Sequence, residues 1–504
     1  MNGHTVDNNL QFSSDFDGGT WSQWIEKAEA TLKGGAFEDK LVRLSEDGIA
    51  QGPLFSGHTK TQATAISRPF VAHLNDRPWH VDMMVNHPQI KTANQDILGG
   101  LNGGASALTL HIDPTGNTGI ALRTKNDIAR LLDGVYTEFV PISLFPGANN
   151  HEYAALLGAH FAQKGQMDDT YIELNFAPCD QGRTDILPLT HWVKTHAPHW
   201  KTLSVNASAL HETGATQAQE LAGLAAMLVA YVRELSADMD LETIRSQMSV
   251  SLASDQNGHG NIIKFRAARA LIARIFESFD APPEQRTLPI HAISSARMLS
   301  KMDPWSNMLR NAASVFGAIC GSADFILCRP FTEPLGLATP FAQRMSRGLQ
   351  LMFMDESHLA QVQDPAAGSY THEHLTNALA HKAWSLFQTL EQKGGWFAKD
   401  AQQFIKNQIS LAHQTRKKAI KDGTTVRVGV NQYTKPDIRP ADIRPQPLIK
   451  TRNGQIIDAK NIEGRLVQAK DGYLLAAKPP EICMPCVRDY EDIETAMGEQ
   501  NGHA

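Results

Sequence analysis

Cysteine is scarce in this chain: five residues in 504. That excludes a disulfide framework and points to a reducing setting. Excess positive charge is also missing. A formal net charge of −6 gives no electrostatic case for nucleic acid or an anionic membrane surface. The opening stretch MNGHTVDNNLQF lacks the basic segment and apolar core of a secretory signal. The most apolar helical run, Leu221 to Val232, is too short to span a bilayer. A cytoplasmic location is therefore expected. What is present is ordinary: 42% hydrophobic and 20% charged residues suit a soluble globular protein with a substantial core.

Residues 1–60 form a polar arm with one amphipathic segment, Trp21 to Lys33, in which Trp21, Trp24, Ile25, Ala28 and Leu32 recur at helical spacing. A lone helix of that length is marginal in water, so it is expected to pack on another domain or chain. Residues 61–435 then alternate strand-like and helical patterns. The strand candidates are His80 to Val85, Ala107 to Ile112, Phe139 to Leu144, Tyr171 to Phe176, Leu203 to Asn206, Met248 to Leu252, Pro289 to Ile293 and Phe325 to Cys328. Eight strands, each followed by a helix-length segment, match an α/β fold of the (β/α)8 TIM-barrel type. A doubly wound open sheet is the competing architecture.

Helical patterns at Pro340 to Glu356, His372 to Lys393 and Phe397 to Asp422 extend the barrel at its C-terminal side, followed by a strand-like Val426 to Val430. Pro436, Pro440, Pro445 and Pro447 are expected to break regular structure. Residues 436–504 read as a Pro-rich linker and a short polar tail, with a hairpin signal at Asn453-Gly454. Because the barrel strands carry Met83, Met84, Val85, Leu108, Leu110, Ile142, Leu144, Ile172, Leu174 and Phe176, about half of this bulky set is expected to fill the barrel axis.

Chemistry-bearing patterns are few. Cys483-Met-Pro-Cys486 has no further ligands nearby for zinc and reads as two reduced thiols. Gly99 to Gly104 lacks a phosphate-loop pattern and reads as a tight connection before the second strand. Asp255 to Gly260, with His259, reads as a strand-to-helix turn into a capped helix. Arg416-Lys-Lys418 reads as a solvated helical face.

Five blocks in order carry a resemblance. They are Ile262-Ile-Lys-Phe-Arg-Ala-Ala-Arg-Ala-Leu-Ile-Ala-Arg274; Asp303-Pro-Trp-Ser-Asn-Met-Leu-Arg310 with Val315 to Gly321; Leu335-Gly-Leu337 with Arg344-Met-Ser-Arg-Gly-Leu-Gln350; Asp364-Pro-Ala-Ala-Gly-Ser-Tyr370; and Val428-Gly-Val-Asn-Gln-Tyr433. Together with Ser204-Val-Asn-Ala-Ser-Ala209-Leu-His-Glu-Thr-Gly-Ala215 they resemble the adenosylcobalamin-dependent methylmalonyl-CoA mutase family. The resemblance covers roughly residues 200 to 433 and fades upstream.

Catalytic members of that family read S-I-S-G-Y-H-M-Q-E-A-G-A where this chain has Ser204 to Ala215. Ala209 stands at the catalytic histidine and Ser208 at the tyrosine before it. His211, two residues on, reads as structural, since such a shift re-aims the side chain by several ångströms. The family's Y-A-T-M-Y and T-I-Q-N-D blocks are replaced by Ile66 to Phe70 and Ile172 to Ala177. No D-x-H-x-x-G cobalt-ligand motif occurs, and the roughly 70 residues after Tyr433 are too few for a doubly wound domain of about 100 or more. The resemblance therefore implies no catalytic, cofactor-binding or metal-binding residue in this chain. It implies instead a small, non-catalytic subunit, with adenosylcobalamin on a large catalytic partner in a heterodimer. A catalytic barrel served by a separate cobalamin-binding polypeptide is the alternative; a stand-alone acyl-CoA-binding or scaffold protein is the third.

Overall fold

A computed structural model describes residues 19–56, 77–178, 184–359, 361–435, 437–449, 462–470, 475 and 486–495. Eight parallel strands close into a barrel: β1 His80–Val85, β2 Ala107–Leu110, β3 Ile142–Leu144, β4 Ile172–Phe176, β5 Lys201–Asn206, β6 Met248–Ser254, β7 Ile290–Ser294 and β8 Phe325–Leu327. Phe325 of β8 registers against both His80 and His291, which closes the ring. The open sheet is thereby excluded, and every strand lies where the sequence pattern puts it.

The outward faces make the main core. Val81, Leu108, Ile142, Leu174, Val205 and Val250 are buried in one continuous apolar cluster with the surrounding helices. Gln217–Leu235, apolar on most of its circumference, is correspondingly buried on most of it and is capped by Thr216 and Gln219 in a reciprocal box. It packs beside Tyr370–Gln392, which also lies against Gly258–Ser278. A register shift between Glu173 and Phe176 on β4 coincides with Asn175 at φ 47°. Asparagine tolerates this left-handed backbone. Its side-chain amide donates to Leu144 O at 2.9 Å, and its carbonyl accepts from the Ser249 hydroxyl at 3.0 Å.

Several expectations need correction. Val426 to Val430 is not a strand; it forms turns with one isolated bridge, Val428 to Gln432. The Pro-rich stretch does hold regular structure, since Ile443–Arg444 pairs antiparallel with Leu337–Ala338. Gly99 and Gly100 lie inside helix Ile90–Asn102, not in a connection; Gly100 lets that helix approach Met83, whose sulfur would lie 2.3 Å from any added Cβ. Arg416 is not on a solvated face: it is 5% exposed and paired with Glu46.

The amphipathic helix spans Trp21–Thr31 and none of its residues is fully buried; Trp21 stacks on Trp24, which meets Phe37 edge-on. The following hairpin, Arg43–Leu44 with Ala50–Gln51, is tied to the barrel domain, because Asp47 accepts the Ala218 N–H. The tail also contains a helix, Ile462–Lys470, with no counterpart in the sequence reading; it packs on Asn150–Lys164. Ile66 to Phe70, Asn453-Gly454 and Cys483 lie outside the described residues. No described helix is long and apolar enough to cross a membrane.

Candidate functional site at the barrel mouth

The inside of the barrel is not the apolar plug its bulky strands suggest. Of the ten bulky residues, about half of which are expected on the axis, nine belong to the outward core, and only Met84 joins a separate inner cluster with Ile293 and Leu327. The reason is that helices cover the outer face of every strand, so the most apolar positions point outward. The inward face is mostly polar. Rings of His80, Phe325 and His291 stack across three neighbouring strands, with centroids 4.6 and 4.2 Å apart. Tyr171, Ala107 and Phe325 meet from well-separated parts of the wall.

Within the barrel His291 Nε2 also lies 2.7 Å from Glu173 Oε2, and the Tyr171 hydroxyl donates to Glu173 at 3.1 Å. The Thr109 hydroxyl donates to Asp82 at 2.6 Å. Burial alone pushes the Glu173 carboxyl up, but the His291 charge and contact hold it below its usual range. Burial raises the Asp82 carboxyl to about 6, against the opposing pull of the Thr109 hydroxyl, His291 and the Met83 N–H. His80, Asp82, Glu173, Ser204, Ser249 and His291 are all buried. The axis is closed at this level, by a charged and hydrogen-bonded filling.

The segment carrying Ala209 follows β5. Ser208–Glu212 is a single helical turn; Ala209 is half-buried, and the Ser208 hydroxyl is spent on Asn206 at 2.7 Å. His211 turns into the protein. Its Nε2 meets Ser295 Oγ at 2.9 Å, and its Nδ1 lies 3.7 Å from Glu220, itself paired with Lys264 at 2.7 Å. Burial, followed by the charges of Arg297, Lys264 and Arg416, holds the imidazole well below its usual range and therefore neutral. Glu212 caps the β7 loop by accepting the Ala296 and Arg297 N–H groups. His211 and Glu212 are thus engaged within the protein, and the Ala209 side chain is a methyl group.

Beside the mouth lies a cleft of about 790 Å³, bounded by the 43–51 hairpin, the turn after β6, and helix Tyr370–Gln392. In that turn Asn257 caps Gly258–Ser278 by accepting the Gly260 N–H, as the sequence pattern implies. His259 reaches His372, ring nitrogen to ring nitrogen at 3.0 Å. Among the described residues no group of three or more His, Cys, Asp or Glu side chains is placed to hold a metal. Cys486 is a free thiol whose acidity is weakened first by the protein packed around it and then by Glu212.

Comparison with known proteins bears on this geometry directly. The family model described as methylmalonyl-CoA mutase matches residues 70–471. The chain belongs to the methylmalonyl-CoA mutase family. The match begins well upstream of residue 200, further than the sequence motifs reach. The methylmalonyl-CoA mutase small subunit of Streptomyces virginiae is 29% identical over 477 residues, covering 88% of this chain and 74% of that protein. A probable methylmalonyl-CoA mutase small subunit of Mycobacterium tuberculosis is 34% identical over 367 residues, 69% of this chain. That alignment spans only 58% of the Mycobacterium protein's length. The mitochondrial methylmalonyl-CoA mutase of Macaca fascicularis is 25% identical over 500 residues, 90% of this chain and 66% of that protein.

The mutase-family blocks turn out to be joints of the scaffold. Arg266 of the first block forks onto Asp364 of the fourth at 2.9 and 3.1 Å and also reaches Glu373 at 2.8 Å. Arg310 of the second block donates to Val428 O of the fifth at 2.7 Å. Gly429, at φ 72°, approaches Asp303 so closely that a Cβ would lie 2.8 Å from its carboxylate. Sequence reasoning missed Glu173, His291, Asp82, Glu220 and Arg297. The visible signal for the first three was a polar residue at alternate positions of otherwise apolar strands.

Proposed function

We propose that this chain is a small, non-catalytic subunit of an adenosylcobalamin-dependent methylmalonyl-CoA mutase. In that complex a large catalytic subunit interconverts (R)-methylmalonyl-CoA and succinyl-CoA, and this chain stabilises it. The observation that carries the reading is the filled barrel axis. Side chains from strands apart in the ring meet in it, as in Glu173 to His291, where β5 and β6 lie between β4 and β7. An acyl thioester on a long flexible arm has no path through such a core. Ala209 adds the second half of the argument, because a methyl group cannot hydrogen-bond a reacting carbonyl.

The residues present do not fit adenosylcobalamin. Of the imidazoles around β5 to β7, His211 is buried and already engaged by Ser295, and His259, exposed in the turn after β6, is engaged by His372. On this reading the cofactor belongs to the partner. The arm supports association: Trp21, Trp24, Ile25 and Leu32 form an apolar stripe that is only half covered. Obligate interfaces commonly bury upwards of about 2,000 Å², and such a stripe is suited to one.

The test is purification of the chain alone and with a co-expressed large subunit, each assayed for mutase turnover with added adenosylcobalamin. The chain alone is expected to be inactive, and Ala209→His is expected to leave it so. Co-purification with an active large subunit supports the proposal; turnover by this chain with only a separate cobalamin-binding polypeptide overturns it.

A further inference from the structure

Residues 486–495 cross the C-terminal mouth of the barrel as an extended piece followed by a helical turn, and almost every residue in the crossing is fastened. The Val487 N–H donates to Glu212 O at 2.8 Å. Arg488 donates to Leu299 O at 3.2 Å and to Glu494 at 2.8 Å. Glu494 in turn accepts the Lys301 N–H at 2.8 Å. Tyr490 is completely buried among Ile420, Val430, Met302 and Ile493, with the Arg310 guanidinium over its ring at 5.7 Å. Lys417 pairs with Asp492 at 2.6 Å.

Asp489 has the most consequential position. It is 6% exposed and lies between two buried guanidinium groups, 3.5 Å from Arg297 Nε and 3.7 Å from Arg416. Arg297 also donates to one short loop, and so does Arg416 with one guanidinium nitrogen, its other two donors going to Glu46. Arg297 donates to His211 O at 2.7 Å and Ala215 O at 3.2 Å; Arg416 donates to Gly214 O at 3.0 Å. The carboxylate thus balances the charges of the two groups that grip residues 211–215, the end of the segment that carries Ala209. Arg416 has a second carboxylate in Glu46, whereas Asp489 is the carboxylate paired with Arg297 among the described residues. Removing a buried counter-charge destabilises what it neutralises.

We propose that residues 486–495 are a strap that locks the loop after β5 in its closed form, with Tyr490 as the anchor and Asp489 as the keystone acting through Arg297 and Arg416. Asp489 is a positioning residue. The strap makes the mouth of this barrel a closed joint, so any opening of the Ala209 segment requires the strap to lift first.

The test is amide hydrogen exchange on the full chain and on two variants, Asp489→Ala and Tyr490→Ala. The amides of Thr213, Gly214 and Ala215 are bonded within the loop, to Ala209, His211 and Leu210 carbonyls respectively, so their exchange reports its opening. In both variants these amides are expected to exchange at least about tenfold faster, with helix Ile90–Asn102, beside β1, unchanged. Unchanged exchange at residues 213–215 overturns the proposal. So does equal acceleration in helix Ile90–Asn102, which marks general destabilisation instead of a local lock. Should Tyr490→Ala fail to fold, Asp489→Ala alone decides, with Asp489→Asn expected to give a smaller acceleration in the same amides.

Discussion

On β4, Glu173 and Leu174 are consecutive, and each is wholly buried, yet they face different surroundings. Leu174 points outward into the apolar shell shared by the strands and their helices. Glu173 points inward to His291, Tyr171 and the barrel axis. The shell is held by area and close packing, which many apolar residues satisfy. The axis is held by pairing, in which each group depends on a specific neighbour. A barrel that serves as a passage needs small side chains and solvent on its inner face. This one has rings, an ion pair and hydroxyls out of reach of water.

The contrast is sharpest under substitution. Glu173→Gln removes the charge that faces His291 and raises its pKa against burial, and is expected to cost about 3–5 kcal/mol through the broken buried pair. Leu174→Ala next to it is expected to cost about 2–5 kcal/mol through a cavity. Chemical denaturation at several pH values separates the two. The leucine variant should keep the wild-type pH profile, displaced downward. In the glutamine variant the stability that Glu173 contributes above its unfolded pKa, and loses as pH falls through its lowered folded pKa, should be gone. Equal profiles would mean that the axis, like the shell, is held by packing alone.

Asp82 gives a smaller effect of opposite sense. Its folded pKa of about 6 lies above the ordinary value of 3.8, so between these pH values the folded state holds the proton more tightly. Stability from this group therefore falls as pH rises from about 4 to about 6 and stays low above that. Asp82→Asn keeps an acceptor for Thr109 and should remove that fall, raising stability at pH 7 by on the order of 2–3 kcal/mol at most. A variant less stable than wild type at pH 7 would show that the carboxylate is better compensated than its surroundings suggest.

The same two faces explain what was legible in the sequence. All eight strands were readable because their outward residues, such as Val81, Leu108 and Val250, must be apolar to meet helices. The long helices were readable because Gln217–Leu235 and Gly258–Ser278 carry buried runs at helical spacing. The inner face is hidden for the same reason: bulk on these strands marks the shell and not the axis. Glu173 and His291 are 118 positions apart, and nothing local to either names the other. The tail was misread because its composition is polar. Tyr490 and Asp489 gain their meaning only from Ile420, Val430, Arg297 and Arg416, which the fold brings to them. The retained family blocks were legible as motifs, but their roles as joints, such as Arg266 to Asp364, needed coordinates.

This barrel keeps the family's scaffold, and buried side chains fill its axis. Titration calorimetry of the purified chain with methylmalonyl-CoA tests it most directly. The filled axis predicts no saturable heat up to millimolar ligand, in wild type and in Ala209→His alike. Stoichiometric binding in the micromolar range, abolished by a bulky substitution at the inward-facing Ser249 or Ser251, would show that acyl-CoA enters the barrel and would contradict the account.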